Sequence, residues 1–384
     1  MSEAAGPLTG LRVIELGGVG PIPFACQLLA DLGADIIRID RPAGYDGGAP
    51  IEARFNLCNR SRRSAAFDLK KPEAVAAVLD LVREADVLVE GFRPGVTERL
   101  GLGPDECLAA NPRLVYGRMT GWGQDGPLAN APGHDINYIA LTGVLHSIGS
   151  ADGPPVPPLN LAGDLGGGSL YLAFGVVAAL LERHTSGQGQ VVDAAMVDGS
   201  ASLMTLFYGF HAAGYWRDER ASNRLDSGAP FYNTYETSDG HWLAIGSNET
   251  RFWRNTLRLL DIDEADMPDQ HDRTQWAAMH ERLAIAVRTR TRDEWCKLAD
   301  GEEVCIAPVM SLAEAPEHPH LRARDTFVDI EGVVQPAPAP RFSRTPGAIS
   351  RPPAVPGEHT DEVLRDWGFS TERIAGLYAA EAIG

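Results

Sequence analysis

Residues 11–40 read LRVIELGGVGPIPFACQLLADLGADIIRID. The run at 11–16 is rich in β-branched and aliphatic residues, as a strand requires. The stretch 23–34, PFACQLLADLGA, has the apolar spacing of a helix, and DIIRID at 35–40 returns to strand character. Strand, helix, strand within thirty residues is a βαβ unit, which predicts two parallel neighbours in one sheet. The connecting loop GGVGPIP carries Gly18 and Gly20 in a G-x-G arrangement, but Pro23 occupies the third glycine position. That glycine lets a helix pack close to its strand in dinucleotide-binding folds, so a nicotinamide fingerprint is rejected.

The alternation continues outward from this unit. PEAVAAVLDLVREA (72–85) reads as a helix with Pro72 in its first turn, DVLVEG (86–91) as a strand, GVTERLGL and PDECLAAN as short helices, and RLVYGRM (113–119) as a strand. The pattern predicts an α/β fold: an open sheet with helices on both faces and a ligand site beyond the C-terminal strand ends. SLYLAFGVVAALLERH (169–184), apolar almost all round, predicts a buried helix. GQVVDAAMVDG reads as a strand entering a turn, and SASLMTLFYGFHAAGYW (200–216) as a long apolar helix. FYNTYETSDGHWLAIGS (231–247) then predicts a hairpin around SDG, followed by three helical stretches. The expected organisation is a large α/β domain over 1–185, completed by 321–384, a linker with a long helix at 186–224, and a small α+β domain at 225–320. A Pro-rich extended stretch, 335–357, precedes two short C-terminal helices.

The 384 residues include 34 Lys plus Arg against 52 Asp plus Glu, a formal charge of −18. Such a charge argues against nucleic acid or an anionic membrane as partner. Basic residues nevertheless cluster in RFNLCNRSRRSAAFDLKK (54–71), with Arg38 and Arg41 just before it. The cluster is either a solvated face or an anion site. Five cysteines without C-x-x-C spacing exclude a disulfide framework or a zinc site, and fit a reducing cytoplasm. No basic-then-apolar leader opens the sequence, and no apolar run is expected to reach the ~18 residues of a membrane span. The expectation is a cytoplasmic protein.

Neither a nucleophile elbow nor a Walker loop is present. His318 and His320 lack a third metal ligand, and DIDEAD at 261–266 lacks the features of a calcium loop, so no metal site is expected. Two loops stand out: GHDINY (133–138), with His134, Asp135 and Asn137, and NLAGDLGGGS (160–169), with Asp164 ahead of three glycines. Glycines permit close approach of a ligand to the backbone. Asp164 reads either as a cap at the N-terminus of the helix that follows or as an acid/base, and His134 either as a structural imidazole or as a proton carrier.

Eight long stretches carry a family resemblance: GLRVIEL, LLADLGADIIRIDRP, DVLVEGFRPGVTERLGLG, NPRLVYGRMTGWGQDGP, GHDINYIALTGVLH, PPLNLAGDLGGGSL, GQGQVVDAAMVDG and GEHTDEVL. Together they resemble the α-methylacyl-CoA racemases of the family III CoA-transferase superfamily, over nearly the whole chain. The resemblance implies a doubly wound, Rossmann-like large domain and a small domain, in an interlocked homodimer with its site between the large domain of one chain and the small domain of the other. It implies His134 and Asp164 as the two acid/base residues, with Glu249, in GSNETRFW, paired to the histidine. CoA contacts are implied for Arg41, Phe67, Asp68, Leu69, Lys70, Gly91, Phe92, Arg93, Arg99, Gly133, Asp135, Ile136, Asn137 and Tyr138. The basic cluster then becomes a phosphate site, for which arginine suits through bidentate bonding.

The implied reaction inverts the α-carbon of a 2-methyl-branched acyl-CoA. One group removes the α-proton from one face, an enolate forms, and a second group protonates the opposite face. CoA enters as part of the substrate, and neither a cofactor nor a metal is required. The alternative within the superfamily is CoA transfer between carboxylic acids with Asp164 as nucleophile. His134 favours the racemase, because a transferase needs no second base.

Overall fold

The computed structural model describes residues 6–18, 20–42 and 51–384, which fall into two compact units. The first lies within Met1–Thr142, Leu159–Leu203 and Arg322–Gly384; the second comprises Gly143–Pro158 and Met204–Leu321.

The first unit is built on β1 (Arg12–Leu16), β2 (Asp35–Asp40), β3 (Arg63–Ala66), β4 (Val87–Glu90), β5 (Val115–Thr120) and β6 (Val191–Ala195). All are parallel, in the order β3-β2-β1-β4-β5-β6. Period-two alternation divides each strand between two cores. Val13, Ile36, Val87 and Val115 face helix α1 (Pro21–Asp31). Ile14, Ile37, Leu88 and Tyr116 face α2 (Pro72–Glu84) and the C-terminal helices Thr360–Asp366 and Thr371–Ala379. Helix α2 shows why its sequence folds as it does. Pro72 opens it, Glu73 and Arg83 complement its dipole, and Ala74, Ala77, Val78, Leu81 and Val82 form one buried stripe. Short helices α3 (Val96–Leu100), α4 (Pro104–Ala110) and α5 (Asp135–Leu141) follow.

Beyond α5 the first unit resumes with a π-helix, Leu161–Leu170, which runs directly into α6 (Tyr171–Ser186). By length and composition this continuous helix could cross a membrane, contrary to the sequence expectation that no run approaches that length. Leu172, Val176, Ala179 and Leu180 of α6 join the α1-side core. The opposite side corrects the expectation of a buried helix: Leu170, Phe174, Val177 and Leu181 form an exposed apolar row, with Phe174 74% exposed.

The stretch expected to be a linker at 186–224 is divided instead. Residues 191–195 supply β6, because Tyr116 and its neighbours in β5 offer an unpaired edge to Val191–Ala195. The long helix is two helices, α7 (Met196–Leu203) and α8 (Thr205–Ala212), and the unit boundary lies between them at Met204.

The second unit contains an antiparallel sheet of β7 (Tyr232–Glu236), β8 (Trp242–Gly246) and β9 (Ile306–Pro308). Helices α9 (Thr250–Leu259), α10 (Trp276–Val287) and α11 (Arg292–Ala299) cover it through Trp253, Leu257, Met279, Leu283 and Trp295.

The basic cluster divides: Arg41, Arg54 and Lys70 are exposed, while its central arginines are neither a solvated face nor free for a phosphate. Arg38, Arg60, Arg62 and Arg63 are buried, and each is spent on the protein's own carboxylates. Arg60 donates to Asp31 at 2.6 Å and to Gln335 and the carbonyl of Pro336. Arg63 donates to Asp35 at 2.8 Å and Asp366 at 2.5 Å, and Arg38 to Asp40 at 2.6 Å. Arg62 bonds Glu15 and Asn59. A guanidinium removed from water requires such partners. These bonds fasten strand β3, helix α1 and the extended C-terminal segment to one another.

Glu15 and Arg62 are both essentially solvent-free. Removing one member of such a pair strands the other's charge. Arg62→Leu is expected to lose about 3–5 kcal/mol in urea unfolding, while the double change Glu15→Met, Arg62→Met recovers most of that loss.

Candidate active site

Three loops leave the C-terminal ends of β1, β4 and β5 and enclose a cavity of about 330 Å³. Its walls include Gly20, Pro21 and Ile22 after β1, Gly91, Phe92 and Arg93 after β4, and Gly121 and Trp122 after β5. Gly133, His134, Tyr138, Asp164 and Met196 complete it. This is the crevice where parallel sheets reverse strand order and bind ligands.

His134 immediately precedes α5. Pro132 and Gly133 delay the helix, and the Asn137 side-chain oxygen accepts the backbone N–H of His134 at 3.0 Å, so the residue is capped in extended geometry with its imidazole exposed. Asp164 lies within the π-helix, one turn in, and not at an N-cap as the sequence allowed. Glycines shape this segment. A Cβ on Gly199 of α7 would lie 1.9 Å from the carbonyl oxygen of Gly167, so the two backbones touch where no side chain fits.

Asp135 joins the two loops. It is buried, and its Oδ1 accepts the backbone N–H groups of both Gly163 and Asp164 at 2.7 Å. A Cβ on Gly163 would come within 2.4 Å of the same oxygen. The Asp135 carboxylate therefore fixes the backbone of Asp164 from the residue next to His134.

Asp164 is half-buried, and burial raises its carboxyl above the ordinary range. The amide of Asn160, at 3.2 Å, and nearby His134 pull it back down, while Asp135 pushes it up. The Ser169 hydroxyl donates to the carbonyl of Pro21 at 2.7 Å, fastening the π-helix to the start of α1. Pro21 and Pro23 carry no N–H, so the opening of α1 offers fewer backbone donors to an anion than an ordinary helix start. Val19 of that loop lies outside the described residues. Tyr138 packs edge-on to Trp122, and burial beside Asp164 pushes its phenol up to about 12. Burial also pushes Glu90 up to about 7, against the N–H of Phe92 and the guanidinium of Arg118.

The expected CoA residues divide. Gly91, Phe92, Arg93, Gly133 and Tyr138 line the cavity. Lys70, Arg99, Arg41 and Ile136 are exposed outside it. Phe67 has its side chain fully buried in the α2-side core, and its backbone bridges Ile383. Asp68 donates its N–H to the carbonyl of Ala382, and Leu69 packs on the same core. The Phe67 side chain is therefore closed to a ligand, while Asp68 and Leu69 keep partial exposure. Asn137 spends its side-chain oxygen on the cap, and Asp135 spends Oδ1 on the Asp164 backbone. Glu249 is exposed at the start of α9 in the second unit, beside Cys305, whose thiol burial raises first and Glu249 raises further. Sequence reasoning missed Trp122 and Asn160. The spacing of Asn160 four residues before Asp164 was the available signal. Among the described residues no cluster of metal-ligating side chains occurs, and all five cysteines are free.

The family model described as CoA-transferase family III matches residues 8–360. The alpha-methylacyl-CoA racemase of Mus musculus is 44% identical over 97% of this chain and 96% of its own length. That of Homo sapiens is 40% identical over 98% and 97%. The crystal structure of a CAIB/BAIF family protein from Brucella suis superposes with a TM-score of 0.82 at 28% identity, covering 94% of this chain and all of that one. A six-stranded parallel sheet, a site at its C-terminal edge and matches along the full chain lead to one conclusion: this protein belongs to CoA-transferase family III.

Proposed function

We propose that this chain is a racemase that inverts the α-carbon of 2-methyl-branched acyl-CoA thioesters by 1,1-proton transfer. The observation that carries the reading is the shared cavity of His134 and Asp164: two proton carriers in one crevice, held by the Asp135 carboxylate. One takes the α-proton, the C–H electron pair moves into the thioester as an enolate, and the other returns a proton to the opposite face. The roles exchange with the substrate's configuration. The raised carboxyl of Asp164 suits a group that must serve as both acid and base. Enolate charge on the thioester oxygen is met by a backbone N–H near Asp135 or in the glycine run, worth about 2.7–4 kcal/mol. No metal or further cofactor takes part, because CoA belongs to the substrate. Exposed Arg93, Arg99 and Lys70 suit the CoA phosphates.

The larger frame of the proposal is a doubly wound, Rossmann-like large domain and a small domain in an interlocked cytoplasmic homodimer acting in lipid metabolism. Glu249 then comes from the second copy and pairs with the imidazole of His134. The uncovered apolar row of α6 supports the dimer, since soluble monomers rarely expose such a stripe. Neither a membrane nor nucleic acid is a partner in this reading.

The family is named for CoA transfer, in which Asp164 would attack as nucleophile. A single enantiomer of a 2-methylacyl-CoA, incubated in D₂O without acceptor acid, separates the two. Loss of optical rotation with deuterium at the α-carbon is expected; a strict need for acceptor acid overturns the racemase reading. His134→Ala and Asp164→Ala are each expected to reduce exchange by about 10²–10⁴-fold, with CoA-ester binding by calorimetry nearly intact.

The hydrogen bond from Asn160 favours ionised Asp164. Asn160→Ala therefore raises the Asp164 pKa further. The acid limb of kcat/KM, measured with the enantiomer that Asp164 deprotonates, is expected to move to higher pH. Phe174→Glu with Leu181→Glu is expected to give monomers in sedimentation and to abolish exchange while leaving the far-ultraviolet spectrum unchanged.

A further inference from the structure

We infer that Gln270 is a positioning residue for Glu249; the inference rests on the reading above, in which Glu249 pairs with the histidine. Glu249 is exposed, on the turn between β8 and α9. An exposed carboxylate on a turn is free to wander unless its backbone is held. The holding group is buried. Gln270 is 5% exposed, and its amide nitrogen donates to the carbonyls of Ser247 at 3.0 Å and Asn248 at 3.1 Å. These are the two residues directly before Glu249.

Secondary contacts act on the same turn. Arg224 reaches the side-chain oxygen of Asn248 at 3.4 Å, and the Ser247 hydroxyl meets that of Thr256 in α9 at 2.7 Å. Gln270 is itself fixed, because its backbone carbonyl accepts the indole N–H of Trp276 at 3.0 Å. One side chain more than twenty residues away thus locks both peptide planes that aim Glu249.

One atom separates this role from packing. Oε1 of Gln270 is buried without a partner. An orphaned acceptor destabilises a fold. A thioether of the same length would fill the space without that penalty, so the value of the amide lies in its two donations.

Two variants test this. Gln270→Met keeps the length but gives no proton to the turn, and also removes the orphaned oxygen. Gln270→Glu keeps the shape, yet when ionised it faces two carbonyls with nothing to donate. Both are expected to fold, with kcat for α-proton exchange down about tenfold and KM for the acyl-CoA changed less than about threefold. As pH falls, the new glutamic acid protonates and restores one donation, so Gln270→Glu recovers rate relative to wild type and Gln270→Met does not. Glu249→Gln is expected to show the same kcat loss, and adding Gln270→Met to it costs little more.

A folded Gln270→Met with wild-type kcat beside an impaired Glu249→Gln overturns the inference alone. A Glu249→Gln with wild-type kcat overturns the reading of Glu249 and the inference with it. Should Gln270→Met fail to fold, Gln270→Glu decides: a pH profile superimposable on wild type overturns the inference.

Discussion

A single carboxylate oxygen, Oδ1 of Asp135, accepts two backbone N–H groups from a loop 28 and 29 residues further along the chain. Charge-assisted bonds of this length are among the stronger ones available to a protein, and here the one to Gly163 is buried and the one to Asp164 partly so. They register the first turn of α5 against the π-helix, and so set where His134 and Asp164 stand in one crevice. Acid/base chemistry at a single carbon depends on such registration, because a displacement of about 1 Å can cost about a hundredfold in rate. The glycines at 163, 167 and 199 serve the same constraint: each occupies a place where a methyl group would meet backbone or carboxylate.

Charge is distributed by the same logic of burial. The chain is strongly acidic overall, yet four arginines of its most conspicuous basic segment and the strand before it are withdrawn from solvent. Arg60, Arg62 and Arg63 act as internal fasteners, each matched to an aspartate or glutamate of another segment, while Arg38 pairs with Asp40 of its own strand and reaches the carbonyl of Ala354. They hold the C-terminal strap to the sheet edge, while the cations left near the cavity are few and individually placed.

The sequence made the βαβ alternation legible because β1, β2, β4 and β5 are apolar runs between clear helical stripes. It concealed β3, whose residues Arg63–Ala66 carry no strand signature, since Arg63 and Ser64 pair with carboxylates and only small alanines face the core. Asp164 and His134 were visible as isolated ionisable groups beside glycine. The π-helical geometry of Asp164 was not, because it arises from backbone-to-backbone contact with α7 across a long sequence interval. The break between α7 and α8 was equally hidden: an apolar run reads the same whether one helix continues or two units meet.

The two prolines that open α1 have an effect on the neighbouring carboxylate. The Asp164 oxygen lies 4.0 Å from where a Cβ on Gly20 would stand, close to the positive end of that helix. Had residues 21 and 23 carried hydrogens on nitrogen, they could have gripped the anion, and a carboxylate gripped by several amides becomes too weakly basic to be useful. With pyrrolidine rings in those places, the helix lends its field with fewer handholds, and the carboxyl beside it keeps the raised affinity for hydrogen that burial gives it.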